Sequence, residues 1–177
     1  MDSATDWFNS GTKKYYLEDF QGAIADLDRA IGQKVDFADA YLCRGLVKYL
    51  LGDHRGAVAD YTMVIGLRPN DKFAYNGRGS AKDVLGDYEG AIADLTKAID
   101  LNPDDAVPYL VRGNTRGSLR DYQGAVTDNL NLYFLQKTGG ANVDILTGGY
   151  APYFDVPIGS YTAILSNTGG EQVSLDV

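Results

Sequence analysis

Few side chains in this sequence have the type and spacing that chemistry requires. His54 is the single histidine and Cys43 the single cysteine. A structural zinc site is closed by four ligands, and no serine or cysteine stands at a recognisable spacing from His54 to act as its activated nucleophile. The acid pair Asp104-Asp105 and the run Asp26-Leu27-Asp28 lack the ligand rhythm of a calcium loop and read as cap and surface residues. Three Thr-Gly-Gly triplets begin at Thr138, Thr147 and Thr168. A phosphate cradle needs its glycine loop to open a helix, so these triplets read as turn punctuation. No catalytic residue, metal ligand or cofactor is therefore assigned, and the chain is expected not to be an enzyme. Its function must come from its surfaces.

The elements that build those surfaces follow from a repeat. Asp19, Asp53, Asp87 and Asp121 are equally spaced, and the same interval links Gly11, Gly45, Gly79 and Gly113. It also links Ala23, Ala57, Ala91 and Ala125, and the aromatic set Trp7, Tyr41, Tyr75 and Tyr109. Four units result, roughly residues 4–37, 38–71, 72–105 and 106–139. Each reads as two helices. The aromatic residue and the glycine one turn later share one face of the first helix. Gly52-Asp53 and Gly86-Asp87 supply a C-terminal glycine for the first helix and a capping aspartate for the second. Ala91, Ile92, Leu95, Ala98 and Ile99 give the second helix an apolar stripe, and Pro69 and Pro103 stop it.

The large aromatic, the glycine, the Tyr or Phe of the Asp-Tyr and Asp-Phe pairs, the small alanine and the closing proline together resemble the tetratricopeptide repeat family. The resemblance covers about three quarters of the chain, with departures at Val35 and Lys137 in place of the proline and at His54 in place of an aromatic. It implies a mainly α fold, a right-handed α-solenoid of four helix hairpins over residues 1–139. Residues 140–177 would then form a small β-rich C-terminal segment.

Arg44, Arg78 and Arg112 precede the repeated glycine, while Asp26, Asp60, Asp94 and Asp128 recur in the second helices. This reads as a ladder of Arg–Asp pairs between adjacent helices, present at every repeat junction.

In the resembled family, the first helices line a concave groove that receives a peptide. The matching face here offers Phe8, Tyr15, Leu42, Leu46, Tyr49, Phe73, Asn76, Asp83, Leu110 and Asn114. One branch of that family grips a terminal carboxylate with lysine, asparagine and arginine. The corresponding places here hold Phe8, Thr12, Cys43, Phe73 and Gly77, so the clamp is missing. An apolar peptide or partner segment is the expected ligand.

The tail differs in composition. All 16 Lys and Arg residues precede residue 140, and positions 140–177 carry four acids and no base. Val173, Leu175 and Val177 alternate with polar residues at strand period, Tyr161, Thr162 and Ile164 favour extended structure, and Asn167 to Gly170 supply a turn. Residues 160–177 read as a β-hairpin, with further short strands at Val143–Leu146 and Tyr153–Val156. So short a segment cannot hold a core of its own. The tail is expected to cover the end left by Leu130, Leu132, Tyr133 and Phe134, or to join subunits into an oligomer or filament, with Trp7 at the opposite end.

The net charge of −8 speaks against a nucleic-acid partner. No apolar run approaches the roughly 20 residues that cross a bilayer, so no membrane insertion is expected. The opening Met1 to Gly11 has neither the basic nor the apolar region of a secretory signal, which places the chain in the cytoplasm as written. A processed precursor would leave a similar chain, a route by which an extracellular assembly stays open.

Overall fold

The computed structural model describes residues 3–137, 162–166 and 172–176. Among these, the helices are α1 (Ala4–Tyr16), α2 (Phe20–Gln33), α3 (Ala38–Leu50), α4 (His54–Leu67), α5 (Lys72–Val84), α6 (Tyr88–Leu101), α7 (Ala106–Ser118) and α8 (Tyr122–Lys137). They pair as four hairpins, α1 on α2, α3 on α4, α5 on α6 and α7 on α8. This is the mainly α, hairpin-repeat fold expected from the regular spacing of the repeat. The chain forms two compact units, Met1–Pro103 with the first three hairpins and Asp104–Val177 with the fourth.

Local chemistry sets the helix ends. Asp19, Asp53, Asp87 and Asp121 each precede a second helix, and their carboxylates accept the backbone N–H of Gly22, Gly56, Gly90 and Gly124 at 3.0, 2.9, 3.1 and 3.0 Å. Ser3 and Asp6 close a capping box at the start of α1. Between the helices of each hairpin one residue takes a left-handed conformation: Glu18 (φ 62°), Gly52 (83°), Gly86 (81°) and Arg120 (61°). Glycine is the unstrained choice there, and the first and fourth hairpins do without it.

In the first unit the apolar core joins Leu27, Ala30 and Ile31 of α2 to Ala40 and Tyr41 of α3, Ala57, Tyr61 and Val64 of α4, and Ala74 and Ala81 of α5. The second helix of one repeat packs on the first of the next, α2 on α3 and α4 on α5. First helices also pack on one another, α1 on α3 and α3 on α5, whereas among the described residues no pairing of similar extent joins α2 to α4 or α4 to α6. The first helices are therefore this unit's inner, concave layer and the second helices its outer one.

Inside the core sits a polar element. Asp26, Asp60, Asp94 and Asp128 are buried. Arg44 grips Asp60 through Nε and Nη2 at 2.9 and 2.6 Å, Arg78 grips Asp94 at 2.8 and 2.7 Å, and Arg112 grips Asp128 at 3.0 and 2.6 Å. One turn further along the first helix a second cation reaches the same carboxylate: Lys48 at 2.9 Å, Lys82 at 2.8 Å and Arg116 at 2.8 Å. The first hairpin uses Ser10 (2.7 Å) and Lys14 (2.6 Å) on Asp26. The sequence pattern suggests Arg–Asp pairs at repeat junctions. The pairs do join adjacent helices, and in the second, third and fourth hairpins those are the two helices of one hairpin, the first clamped to the second. The link across a junction is a third contact, from Arg44 Nη1 to Asp28 at 2.6 Å and from Arg78 Nη1 to Thr62 at 3.2 Å.

In the second unit, Pro108, Tyr109, Arg112 and Thr115 of α7 and Asp128 and Leu132 of α8 are buried. The strands β1 (Thr162–Ser166) and β2 (Gln172–Asp176) pair antiparallel with Ile164 opposite Ser174, Leu165 opposite Val173 and Ala163 opposite Leu175. The expected strands at Val143–Leu146 and Tyr153–Val156 lie outside the described residues, as do Tyr161 and Val177 and the side chains of Tyr133 and Phe134.

Two expectations follow for the clamp. Asp60→Ala leaves Arg44 and Lys48 facing a partly buried gap, and should lower the unfolding free energy by on the order of 3 kcal/mol in urea denaturation. For Asp26, burial opposes the charge, but the hydrogen bonds from Lys14 and Ser10 and the charges of Lys14 and Arg29 outweigh it, and its pKa is lowered. A carboxyl with a depressed folded pKa contributes stability that is complete above its unfolded value of about 3.9 and is lost as pH falls through the folded one. Stability should therefore decline below about pH 4, and the decline should be shallower in Asp26→Asn, as urea titrations at about pH 5 and about pH 3 would show.

Candidate functional site: the inner face of the first helices

The clamp fixes how each first helix is rotated, and so which residues it turns inward to the concave side. At 3.6 residues per turn, Leu46 lies two positions from both Arg44 and Lys48, roughly 200° around α3 from either. Since those two bind the outer helix, Leu46 faces away from it and is 37% exposed. The same stripe carries Leu50 at 50% exposure, and on α5 it carries Phe73 at 59% and Val84 at 52%. On α1 it ends in Tyr16, 77% exposed. Tyr16, Leu50 and Val84 recur at the interval of the repeat and are absent from the residues expected to line this face; the repeat register is the signal that could have found them.

Of the residues expected to line this face, Phe8, Leu42 and Tyr49 are partly buried and pack against the core, so they form the floor rather than the rim. The Phe8 ring lies 5.0 Å from that of Phe37. Tyr15 is half-buried between Tyr16 and Phe20, with ring centroids 5.2 and 6.3 Å away. The Phe73 ring carries Lys72 Nζ 5.1 Å from its centroid. Asn76 and Asp83 are half-buried on α5. Leu110, half-buried, and Asn114, exposed, stand on α7 of the second unit. Among the residues assigned to capping or assembly, Trp7 is half-buried beneath Arg29, whose Cζ lies 4.5 Å from the ring centroid, and Leu130 is half-buried on α8.

Asp39 at the edge of the inner face is neutralised by a bidentate Arg68 at 2.6 and 2.7 Å, whose hydrogen bonds lower the Asp39 pKa against burial. Burial pushes the Cys43 thiol up, with a hydrogen bond to Thr12 in partial opposition, so the thiol stays protonated at neutral pH and is a poor nucleophile. His54 is half-buried and edge-on to Tyr49, with centroids 5.0 Å apart at 65°. Its Nδ1 is buried without a hydrogen-bond partner, and the same is true of Asn76 Oδ1. Among the described residues no group of three or more His, Cys, Asp or Glu could hold a metal ion, and no helix is long and apolar enough to cross a membrane.

One junction is built by a matched pair of substitutions. Tyr61 stands where the neighbouring repeats have Leu27 and Leu95, and its buried ring lies between α3 and α5. A Cβ at Gly45 would approach Tyr61 Cε1 to 3.1 Å, and one at Gly77 would fall directly on the ring. Gly77 is thus the hole that receives the larger side chain.

An inner layer of repeated first helices, clamped to outer partners and carrying an apolar surface, defines a helix-hairpin repeat scaffold. Residues 8–72 and 73–105 each match a family model described as tetratricopeptide repeat, together more than half of the chain. The chain belongs to the tetratricopeptide repeat family. No curated protein matches it by sequence. Among solved structures it is similar to MamA residues 41-end from Desulfovibrio magneticus RS-1, with 21% identity, TM-score 0.75 and 78% of each chain covered. It is also similar to the first TPR of Spaghetti (RPAP3) bound to the HSP90 peptide SRMEEVD, with 20% identity, TM-score 0.65, and 68% of this chain and 97% of that one covered. The Arabidopsis OM64 TPR domain aligns at 22% identity and TM-score 0.64, covering 66% and 96%. At these identities the likeness is one of fold.

Gly77→Ala should cost about 1–3 kcal/mol by forcing Tyr61 aside, and adding Tyr61→Leu should restore most of the loss. Thermal unfolding of the single and double variants measures both.

Proposed function

We propose that this chain is a non-catalytic protein-interaction scaffold that binds an apolar peptide or partner segment along α1, α3 and α5. The observation that carries this is the exposed row of large apolar side chains on the inner helices, Tyr16, Leu46, Leu50, Phe73 and Val84, beside a core that closes without them. Apolar side chains grouped on one concave face mark interaction sites rather than ordinary surface. The Spaghetti (RPAP3) TPR carries a peptide in a fold of this kind. An acidic C-terminal peptide is not the ligand proposed here, because Phe8, Thr12, Cys43, Phe73 and Gly77 occupy the places of the clamp cations and asparagines.

A second function, self-assembly through the tail, draws on the β1–β2 ribbon. Among the described residues these strands pair only with each other, and each strand of such a ribbon has an outer edge of the kind that strand exchange uses. A particle mass that stays at one chain across concentration would overturn it.

The groove is tested with random dodecapeptides displayed on phage and panned on the full chain. Leu46→Glu and Phe73→Glu alter exposed positions, leave the core intact, and should each weaken the selected peptides at least tenfold in fluorescence polarisation, while SRMEEVD binds neither the parent nor the variants. Undiminished binding by both variants would remove the groove from the account.

A further inference from the structure

The four second helices differ along one side. The place held by half-buried Phe20, His54 and Tyr88 in the first three hairpins is held in the fourth by Tyr122, which is 46% exposed. One turn further on, Ile24, Val58 and Ile92 are half-buried, whereas Val126 is 37% exposed. After another turn, Asp28 and Thr62 receive the junction contacts from Arg44 and Arg78, and Leu130 has neither charge nor hydroxyl to receive one. Tyr122, Val126 and Leu130 therefore form an apolar stripe along one face of α8. Charge is missing from the same helix. Arg29 of α2, Arg55 of α4, and Glu89 and Asp100 of α6 are exposed. The charged residues of α8 are Asp128, buried in its clamp, and Lys137 at its C-terminus. Exposed aromatic and aliphatic side chains without charge among them have the composition of an interface centre.

We infer that this face of α8 pairs two copies of the chain about a two-fold axis, with α8 of one copy against α8 of the other. Two properties select that occupant. A chain of net charge −8 repels its own copy wherever acid faces acid, and on the outer face of α8 no acid meets another. The contact is also unsuited to another repeat's first helix. Such a helix would bring an arginine like Arg44 or Arg78, for which Leu130 offers no acceptor. The α1 helix of a second copy would bring Asp6 and Lys13, both exposed, at the places where α3 buries Ala40 and Val47 and α5 buries Ala74 and Ala81. Burying that aspartate and lysine without partners is costly, so head-to-tail stacking is disfavoured and the isologous contact is the one that fits. Val126 is the middle of the stripe. With the two helices antiparallel, Val126 meets its own copy at the axis, Tyr122 covers Leu130 of the second copy, and exposed Gln123 and Thr127 form an uncharged rim. One helix face from each copy lies at the small end of specific interfaces, so the dimer dissociates on dilution. Neither the groove nor the β1–β2 ribbon takes part.

Sedimentation equilibrium of the full chain, from micromolar to millimolar, should find monomer and dimer and nothing larger. Val126→Glu sets two acids together at the axis and should weaken the dimer about tenfold or more, as should Tyr122→Glu, whereas Ile164→Pro in β1 should leave it unchanged. Thermal unfolding of Val126→Glu at a dilution where the parent is monomeric should match the parent, which separates lost pairing from lost folding. In a Cys43→Ser background, Val126→Cys should form a disulfide-linked dimer on mild oxidation far faster than Tyr122→Cys, because the axial position alone meets itself. Tyr122→Cys mixed with Leu130→Cys should cross-link one to the other. A mass of one chain at every concentration would overturn the dimer, and would do so equally if residues 138–161 of the same chain cover α8. A dimer that survives Val126→Glu and Tyr122→Glu but is lost in Ile164→Pro would move the contact to the strands. Growth beyond two chains would overturn the two-fold axis, and equal cross-linking from Val126→Cys and Tyr122→Cys would overturn the antiparallel register.

Discussion

The structure depends on a buried carboxylate held by two cations one helical turn apart. Asp60 between Arg44 and Lys48, and Asp94 between Arg78 and Lys82, repeat one geometry. A buried ion pair of this kind contributes little net stability, because desolvation offsets the attraction, and an apolar trio of the same volume could be as stable. Its contribution is orientation. A bidentate guanidinium fixes the distance and rotation of one helix against the other in a way that interchangeable apolar contacts do not. Once α3 is fixed by Arg44 and Lys48, Leu42, Leu46 and Leu50 can only face the other way. The inner surface is thus a geometric consequence of a contact on the opposite side of the same helix.

The first hairpin holds its carboxylate with different partners. Arg44 and Arg78 spend one guanidinium nitrogen on the preceding repeat, through Asp28 and Thr62. Ser10 stands in the arginine's place in the first hairpin, and the Asp26 carboxylate is completed by Lys14 and Arg29. Arg29 in turn covers Trp7. The first hairpin thus keeps the buried carboxylate and changes its partners.

Much of this is legible in the sequence because the repeat keeps its register. The constant interval yields the hairpins, the aspartate caps and the identity of the Arg and Asp partners, since each rests on a residue type recurring at a fixed place. Where the pairs lie is not legible. An arginine and an aspartate spaced as Arg44 and Asp60 are can meet across a hairpin or across a junction, and only the packing of α3 on α4 decides it. The second cations Lys14, Lys48, Lys82 and Arg116 carry no signal of their own, because surface lysines and arginines are ordinary. For the inner face the correct helices are readable, but floor and rim are not, since Leu42 and Leu46 are the same residue type one turn apart and differ only in how far the neighbouring helix reaches over them. As a letter in the sequence Asn76 is one polar residue among several; the burial of its carbonyl oxygen is a property of the packed chain.

This division of labour separates the residues that hold the fold from those that form the inner surface. The residues that hold the hairpin, Tyr41, Arg44, Gly45 and Lys48 on α3, face the outer helix, and Leu42, Leu46 and Leu50 face inward. Substitution on the inner side therefore alters the exposed apolar face at small cost in stability, provided it stays on the rim. Floor positions are the exception, because they touch the core as well as the groove. A polar residue there weakens the fold unless something else completes its hydrogen bond. Asn76 sits at such a position with its Oδ1 buried, so a substitution there disturbs the packing, whereas one at the exposed Leu46 does not.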